Sequence, residues 1–160
     1  MIQEQVQLRG KWYRWVAFGF GAGFSPIAPG TVGTLLGIPI IISFQFLPNV
    51  LWFLGALLIA LMSAWSSSRV TSELGFKDHP AIVIDEISGF VFTMALIPVT
   101  WQSILLGFLL FRLFDIIKPP PANWIDRSMS GGIGITADDV VAGIYANVVL
   151  HVVLTFTDVI

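Results

Sequence analysis

Charge is segregated along this chain. Residues 15–68 contain no Asp, Glu, Lys or Arg, and neither do residues 87–111 or 140–157. Most of the ionisable side chains are confined to three short islands, 69–86, 112–118 and 126–139. A helix surrounded by water needs a polar face, whereas a helix surrounded by lipid does not. The pattern therefore predicts apolar helices joined by short charged segments. Composition agrees: 56% of the residues are hydrophobic and 11% are charged, with a mean hydropathy of +0.85, where soluble domains carry about 25% charge.

The 160 residues are read as a single domain. A net charge of −2 and the lack of a basic stripe argue against nucleic acid as a partner. The absence of cysteine excludes disulfides, thiolate metal sites and a cysteine nucleophile. The first residues do not read as a cleaved signal, because Glu4 lies among them and no small-residue cleavage site follows.

Apolar helices are expected over about 31–46, 50–65, 87–99, 102–117 and 138–156. Trp12, Tyr13 and Trp15 follow the pattern of an interfacial aromatic belt. Prolines and glycines are expected to keep 25–30 non-helical, with Thr31 capping or opening the next helix. Pro48-Asn49 is a turn signal, Gly75 a helix stop, and 126–139 a glycine-rich loop. The fold class is thus all-α: a membrane-embedded bundle of about four to five apolar helices. Each span is slightly shorter than the roughly 20 residues of a perpendicular crossing, which local thinning or ends extending into the headgroup zone would accommodate; a bundle only partly immersed in the membrane is the alternative.

Placing the basic N-terminus in the cytoplasm, as positive-inside bias directs, puts 25–31, 66–86 and 112–139 on that side. The two hairpins left on the other side carry no charge. The charged segments gather at one, cytoplasmic, face of a multi-pass protein.

Three constellations carry possible chemistry. Asp85-Glu86 precedes an apolar run, where paired carboxylates are costly unless matched by a cation or a basic group. Arg112-x-x-Asp115-x-x-Lys118 has i,i+3 spacing, which puts neighbours on one helix face. Asp138-Asp139 opens the last apolar helix, with Thr136 as a candidate N-cap. Each has a simpler alternative: dipole complementation for the two pairs, a helix-end salt bridge or snorkelling for the third. Convergence on one face favours the chemical interpretation. Five carboxylates without cysteine suit Mg2+ or Mn2+ rather than Zn2+, and a divalent ion beside Arg112 and Lys118 suits a phosphate group. Free N–H groups near Thr31 are candidate anion donors. His79 is a candidate acid or base, with an ordinary loop histidine as the alternative. His151 is expected to be a neutral residue inside the bundle.

Several ordered motifs resemble the phosphatidylglycerophosphatase A family. They are Gly21-x-Gly23-x-Ser25-Pro26-x-x-Pro29-Gly30-Thr31-x-Gly33, Asp78-His79, Asp85-Glu86-x-x-Gly89, Phe111-Arg112-x-x-Asp115-x-x-Lys118-Pro119 and Gly131-Gly132-x-Gly134-x-x-x-Asp138-Asp139-x-x-Ala142-Gly143. The resemblance covers about residues 12–150. One departure is Pro119-Pro120-Pro121, where an aromatic residue is expected between prolines.

The resemblance implies a Mg2+-dependent phosphatase of the inner membrane. It would convert phosphatidylglycerophosphate to phosphatidylglycerol and phosphate in phospholipid biosynthesis. Asp85, Glu86, Asp115, Asp138 and Asp139 are then the expected metal-ligating and catalytic carboxylates, with His79. Arg112, Lys118 and Thr31 are expected to hold phosphate. Direct attack by water is favoured, with a phospho-aspartate route as the alternative. A phosphatidate phosphatase of broader specificity, a small cation transporter and a non-catalytic lipid-binding scaffold are the competing functions. Small-residue faces such as Ala142-Gly143 suit packing within or between chains.

Overall fold

The computed structural model describes residues 11–75 and 79–156. It is built from helices, with no strand among the described residues: α1 (Trp12–Ala17), a 3-10 segment (Gly19–Phe24), α2 (Pro29–Phe44), α3 (Asn49–Leu74), α4 (Ile84–Thr93), α5 (Trp101–Ile117), α6 (Ala122–Ser128) and α7 (Gly131–Phe156). Helix α7 is central and packs against α3, α4, α5 and α6.

Local sequence sets several of the helix ends. Thr100 and Ser103 form a reciprocal capping box at the start of α5, with Thr100 Oγ1 accepting from Ser103 N at 3.2 Å. Such a cap contributes about 1 kcal/mol. Gly75 ends α3 as expected, in the left-handed conformation (φ 70°) and with its N–H bonded to Thr71 O at 3.0 Å. Helix α4 stops after ten residues. Its final carbonyl, Thr93 O, and Ala95 O just beyond it both accept from Asn147 Nδ2 of α7, each at 2.9 Å.

Helices α3 and α7 are each 26 residues and apolar enough to cross a membrane; α2 is a shorter apolar helix of 16 residues. Only 28% of the most apolar stretch of either long helix is buried. Their outward faces are leucine- and valine-rich, with Leu54, Leu57, Leu58 and Leu61 on α3 and Val148 and Val152 on α7 exposed. The buried faces are small or hydroxylated. Ser63 Oγ meets Thr136 Oγ1 at 2.6 Å, and Ser68 Oγ accepts from Gly132 N at 3.1 Å.

Four sequence expectations are corrected. The segment expected as a helix over 87–99 is helical from Ile84, so Asp85 and Glu86 lie in its first turn rather than before it. The expected loop 126–139 holds the end of α6 and the start of α7. Asp138 and Asp139 therefore sit two turns inside α7, and Thr136 bonds across to α3 instead of capping. Glycine allows this, because a Cβ on Gly132 would lie 2.2 Å from Ala64 O. Helix α2 begins at Pro29 rather than Thr31, since a proline at the first position loses no needed N–H. His151 is exposed on the outer surface of α7 rather than inside the bundle.

Charge and its absence separate along the bundle. Glu73, near the end of α3, bonds Lys11, Tyr13 and Arg14, which brings the N-terminal basic cluster to the island after α3. At the other end, the charge-free hairpins meet around a cavity of about 500 Å3 lined by Phe44, Leu47, Trp52 and Leu96.

Candidate active site

Two helices that start at the same end carry the acidic centre. Helices α4 and α7 cross where Gly89 faces Gly143, and a Cβ on Gly143 would lie 2.2 Å from Gly89 O. Asp85 is four residues before Gly89, and Asp139 four residues before Gly143. One helical turn on each side of the crossing therefore sets these carboxylates against each other. With Glu86 they bring carboxylate oxygens within 4.8 Å of one another. Asp85 and Asp139 are 7% and 3% exposed, so the cluster is largely withdrawn from solvent.

The other two expected carboxylates are engaged by basic groups. Arg112 Nη1 lies 2.7 Å from Asp115 Oδ2, the i,i+3 pair of the motif, and 3.9 Å from Glu86 Oε1. Lys118 Nζ bonds Asp138 Oδ2 and lies 3.6 Å from Asp126 Oδ1 on α6. Lys118 ends α5 in the left-handed conformation (φ 47°), which glycine usually takes. A non-glycine residue there costs roughly 1–3 kcal/mol, offset by the ion pairs that the conformation permits. Burial pulls the Lys118 ammonium down. Its bond to Asp138 and the charges of Asp138, Asp139 and Asp126 outweigh that, and hold it above the ordinary lysine range.

The first turn of α2 closes one side. A Cβ on Gly30 would lie 2.2 Å from Glu86 Oε1 and 3.2 Å from Arg112 Nη1. Thr31 follows in the same turn, half-buried. His79 is buried, its Nδ1 accepts from Ala81 N at 3.1 Å, and its ring packs against Phe18. These contacts order the turn that leads into α4. Asp78 of the Asp78-His79 motif lies outside the described residues.

Two participants were not singled out from sequence. Asp126 reaches Lys118 around the proline turn, and no helical periodicity links them. Gly30 was visible only as part of a glycine–proline motif, because its closeness to Glu86 is a tertiary fact.

Fold and site together define the class: an all-helical protein with a polar centre of clustered carboxylates, an arginine and a lysine, enclosed by helices whose outer faces are apolar. The family model described as phosphatidylglycerophosphatase A matches residues 15–154. A phosphatidylglycerophosphatase A of Escherichia coli K12 is 36% identical over 94% of this chain and 88% of its own length. One from Haemophilus influenzae is 39% identical over 86% of each chain. A Bacteroides thetaiotaomicron protein, provisionally described as a phosphatidylinositol-3-phosphatase, is 35% identical over 86% of this chain and 90% of its own. No solved structure matches. The chain belongs to the phosphatidylglycerophosphatase A family and is a phosphatase.

Proposed function

We propose that the protein hydrolyses phosphatidylglycerophosphate to phosphatidylglycerol and phosphate, with Mg2+, at the cytoplasmic face of the inner membrane in phospholipid biosynthesis. The observation that carries this is the convergence of Asp85, Glu86 and Asp139 beside Arg112 and Lys118 at one end of an outwardly apolar bundle.

The donor set fits a hard divalent cation. Glu86 Oε2 and Asp139 Oδ2 are buried and lack a hydrogen-bond partner among the described residues. Clustered anions in such surroundings are costly without a counter-charge. Oxygen ligands lie about 2.0–2.6 Å from Mg2+ or Ca2+, so oxygens on opposite sides are separated by about twice that. Asp85, Glu86 and Asp139 would hold the ion, with Asp115 and Asp138 acting through Arg112 and Lys118. When bound, the ion neutralises phosphoryl charge and lowers the pKa of water.

Arg112, fixed by Asp115, presents its remaining N–H donors to the phosphate as a planar fork. Lys118 adds a second, permanently charged donor. The first turn of α2 at Thr31 supplies backbone N–H groups, which have no partners within the helix. Water attacks phosphorus and the bond to the lipid oxygen breaks. The water's proton passes to a carboxylate of the cluster, and that proton is then handed on to the departing lipid oxygen. His79 positions α4 through its turn.

In the membrane, α2, α3, α5 and α7 cross. A 17-residue helix such as α5 is about 25 Å long, which a thinned bilayer accepts. Helix α4, about 15 Å long, ends part-way through and is completed by residues 94–100, with Asn147 meeting Thr93 O and Ala95 O in place of water. The side-chain distribution supports this arrangement, since lipid rewards small inward residues and tolerates leucine outside.

The Bacteroides relative favours a second substrate, phosphatidylinositol 3-phosphate, with the same monoester chemistry. Phosphate release from phosphatidylglycerophosphate, phosphatidylinositol 3-phosphate and phosphatidate, compared by kcat/KM in mixed micelles, separates the two. The first lipid is expected to be preferred. Preference for either of the others would reassign the substrate.

A further inference from the structure

A groove of about 550 Å3 runs between α5 and α7, lined by Phe114, Pro119, Pro120, Ile144, Tyr145 and Val148 among others. It falls within the ~300–1,000 Å3 of typical small-molecule sites. Its upper wall begins at the residue after Lys118, and Phe114 immediately precedes Asp115. Its other wall is one face of α7. Ile144 and Val148 lie six and ten residues beyond Asp138, or about 9 and 15 Å along the axis. The one polar side chain named, Tyr145, has its hydroxyl committed to Pro120 O at 2.8 Å, which pins the proline turn against α7. The groove is thus apolar, begins at the residue that follows Lys118, and extends away from it along α7.

Building on the lipid substrate proposed above, we infer that this groove seats one acyl chain of the substrate. The phosphate lies at Lys118 and Arg112, and the chain runs down α7. Transfer of a chain from lipid to an apolar groove gains little hydrophobic free energy, because both surroundings are apolar. The groove instead restricts where the glycerol end rests, so it acts on orientation at the phosphate. Its occupant is the chain of the molecule under hydrolysis, as distinct from bulk lipid, because the groove begins next to Lys118, which holds the head.

The test uses phosphatidylglycerophosphate carrying a photoactivatable diazirine midway along one acyl chain, with the full-length protein in micelles. Label is expected on peptides spanning 114–120 and 144–149. Excess unlabelled phosphatidylglycerophosphate should compete it away, and phosphatidylcholine should not. Val148→Trp should lower kcat/KM for the diacyl substrate by about tenfold to a hundredfold, as misplacement does, and leave the deacylated, water-soluble headgroup substrate unchanged. Val148→Phe serves if the larger variant fails to fold. Equal competition by phosphatidylcholine would show bulk lipid in the groove and overturn the assignment, as would equal loss on both substrates. If wild-type protein releases no phosphate while competed labelling persists, the chain site stands and the proposed reaction falls.

Discussion

Gly143→Ala is the most informative single substitution, because it acts on the geometry of the site without touching a charged group. The added Cβ would lie 2.2 Å from Gly89 O, and ordinary contact begins at 3.4 Å. The shortfall is about 1.2 Å, and it falls on backbone atoms that no rotamer change can move. Helices α4 and α7 must part, and Asp85 and Asp139 separate with them, being one turn from the crossing on each helix. A displacement near 1 Å costs about a hundredfold in rate. Overpacking of this kind also removes about 1–3 kcal/mol of stability. The assay is kcat/KM for phosphate release, with thermal unfolding in the same detergent. Gly107→Ala is the comparator. Its Cβ would meet Met94 Sδ at 2.8 Å, a flexible atom that can give way, towards the other end of α4. It should keep near wild-type activity. A folded Gly143→Ala protein with wild-type kcat/KM would refute the claim that this crossing sets the site.

Further outcomes follow from the same geometry. Removing Mg2+ with EDTA should lower the unfolding temperature of wild-type protein, since an ion at one hundred times its Kd stabilises by about 2.7 kcal/mol. Asp139→Asn should raise the EDTA value by relieving repulsion in the cluster and abolish the Mg2+ shift, both readable by calorimetry. Arg112→Lys should reduce kcat/KM by about 10²–10³-fold, because an ammonium lacks the fork that serves Asp115 and the phosphate together. His79→Ala should destabilise by about 1–3 kcal/mol through the orphaned Ala81 N–H, with kcat/KM of the folded enzyme little changed; a large rate loss at unchanged stability would make His79 a proton carrier. Gly30→Ala should impair activity by pushing Glu86, whose Oε1 would lie 2.2 Å from the new Cβ.

The site was legible to the degree that local spacing encodes it. The Arg112–Asp115 pair follows from i,i+3 geometry, and the cluster of Asp85, Glu86 and Asp139 from charges stranded between apolar runs. The division of labour among five carboxylates was not legible, because Lys118 selects Asp138 through a left-handed turn that no propensity favours in lysine. The start of α7 is illegible for a related reason. Glycines at 131, 132 and 134 signal a loop in water, yet here Gly132 lets a helix approach the backbone of α3 and Gly134 packs against the Met129 backbone. The same glycine chemistry at 89 and 143 appears in the motifs, but its purpose needs two helices in place. Stretches of apolar residues located α2, α3 and α5 well. They overran α4, which ends ahead of Pro98 and the left-handed Leu96 and whose final carbonyl accepts from Asn147 of another helix.

The central claim is that Asp85, Glu86 and Asp139 form one metal-dependent phosphatase centre. Its most direct test is phosphate release from phosphatidylglycerophosphate by purified wild-type, Asp85→Asn and Asp139→Asn proteins, each titrated with Mg2+ after EDTA. Release by wild-type protein that rises from near zero with Mg2+, and is lost in both folded variants at every Mg2+ concentration, is the predicted result. Full release in EDTA, or either variant retaining wild-type activity, would contradict it.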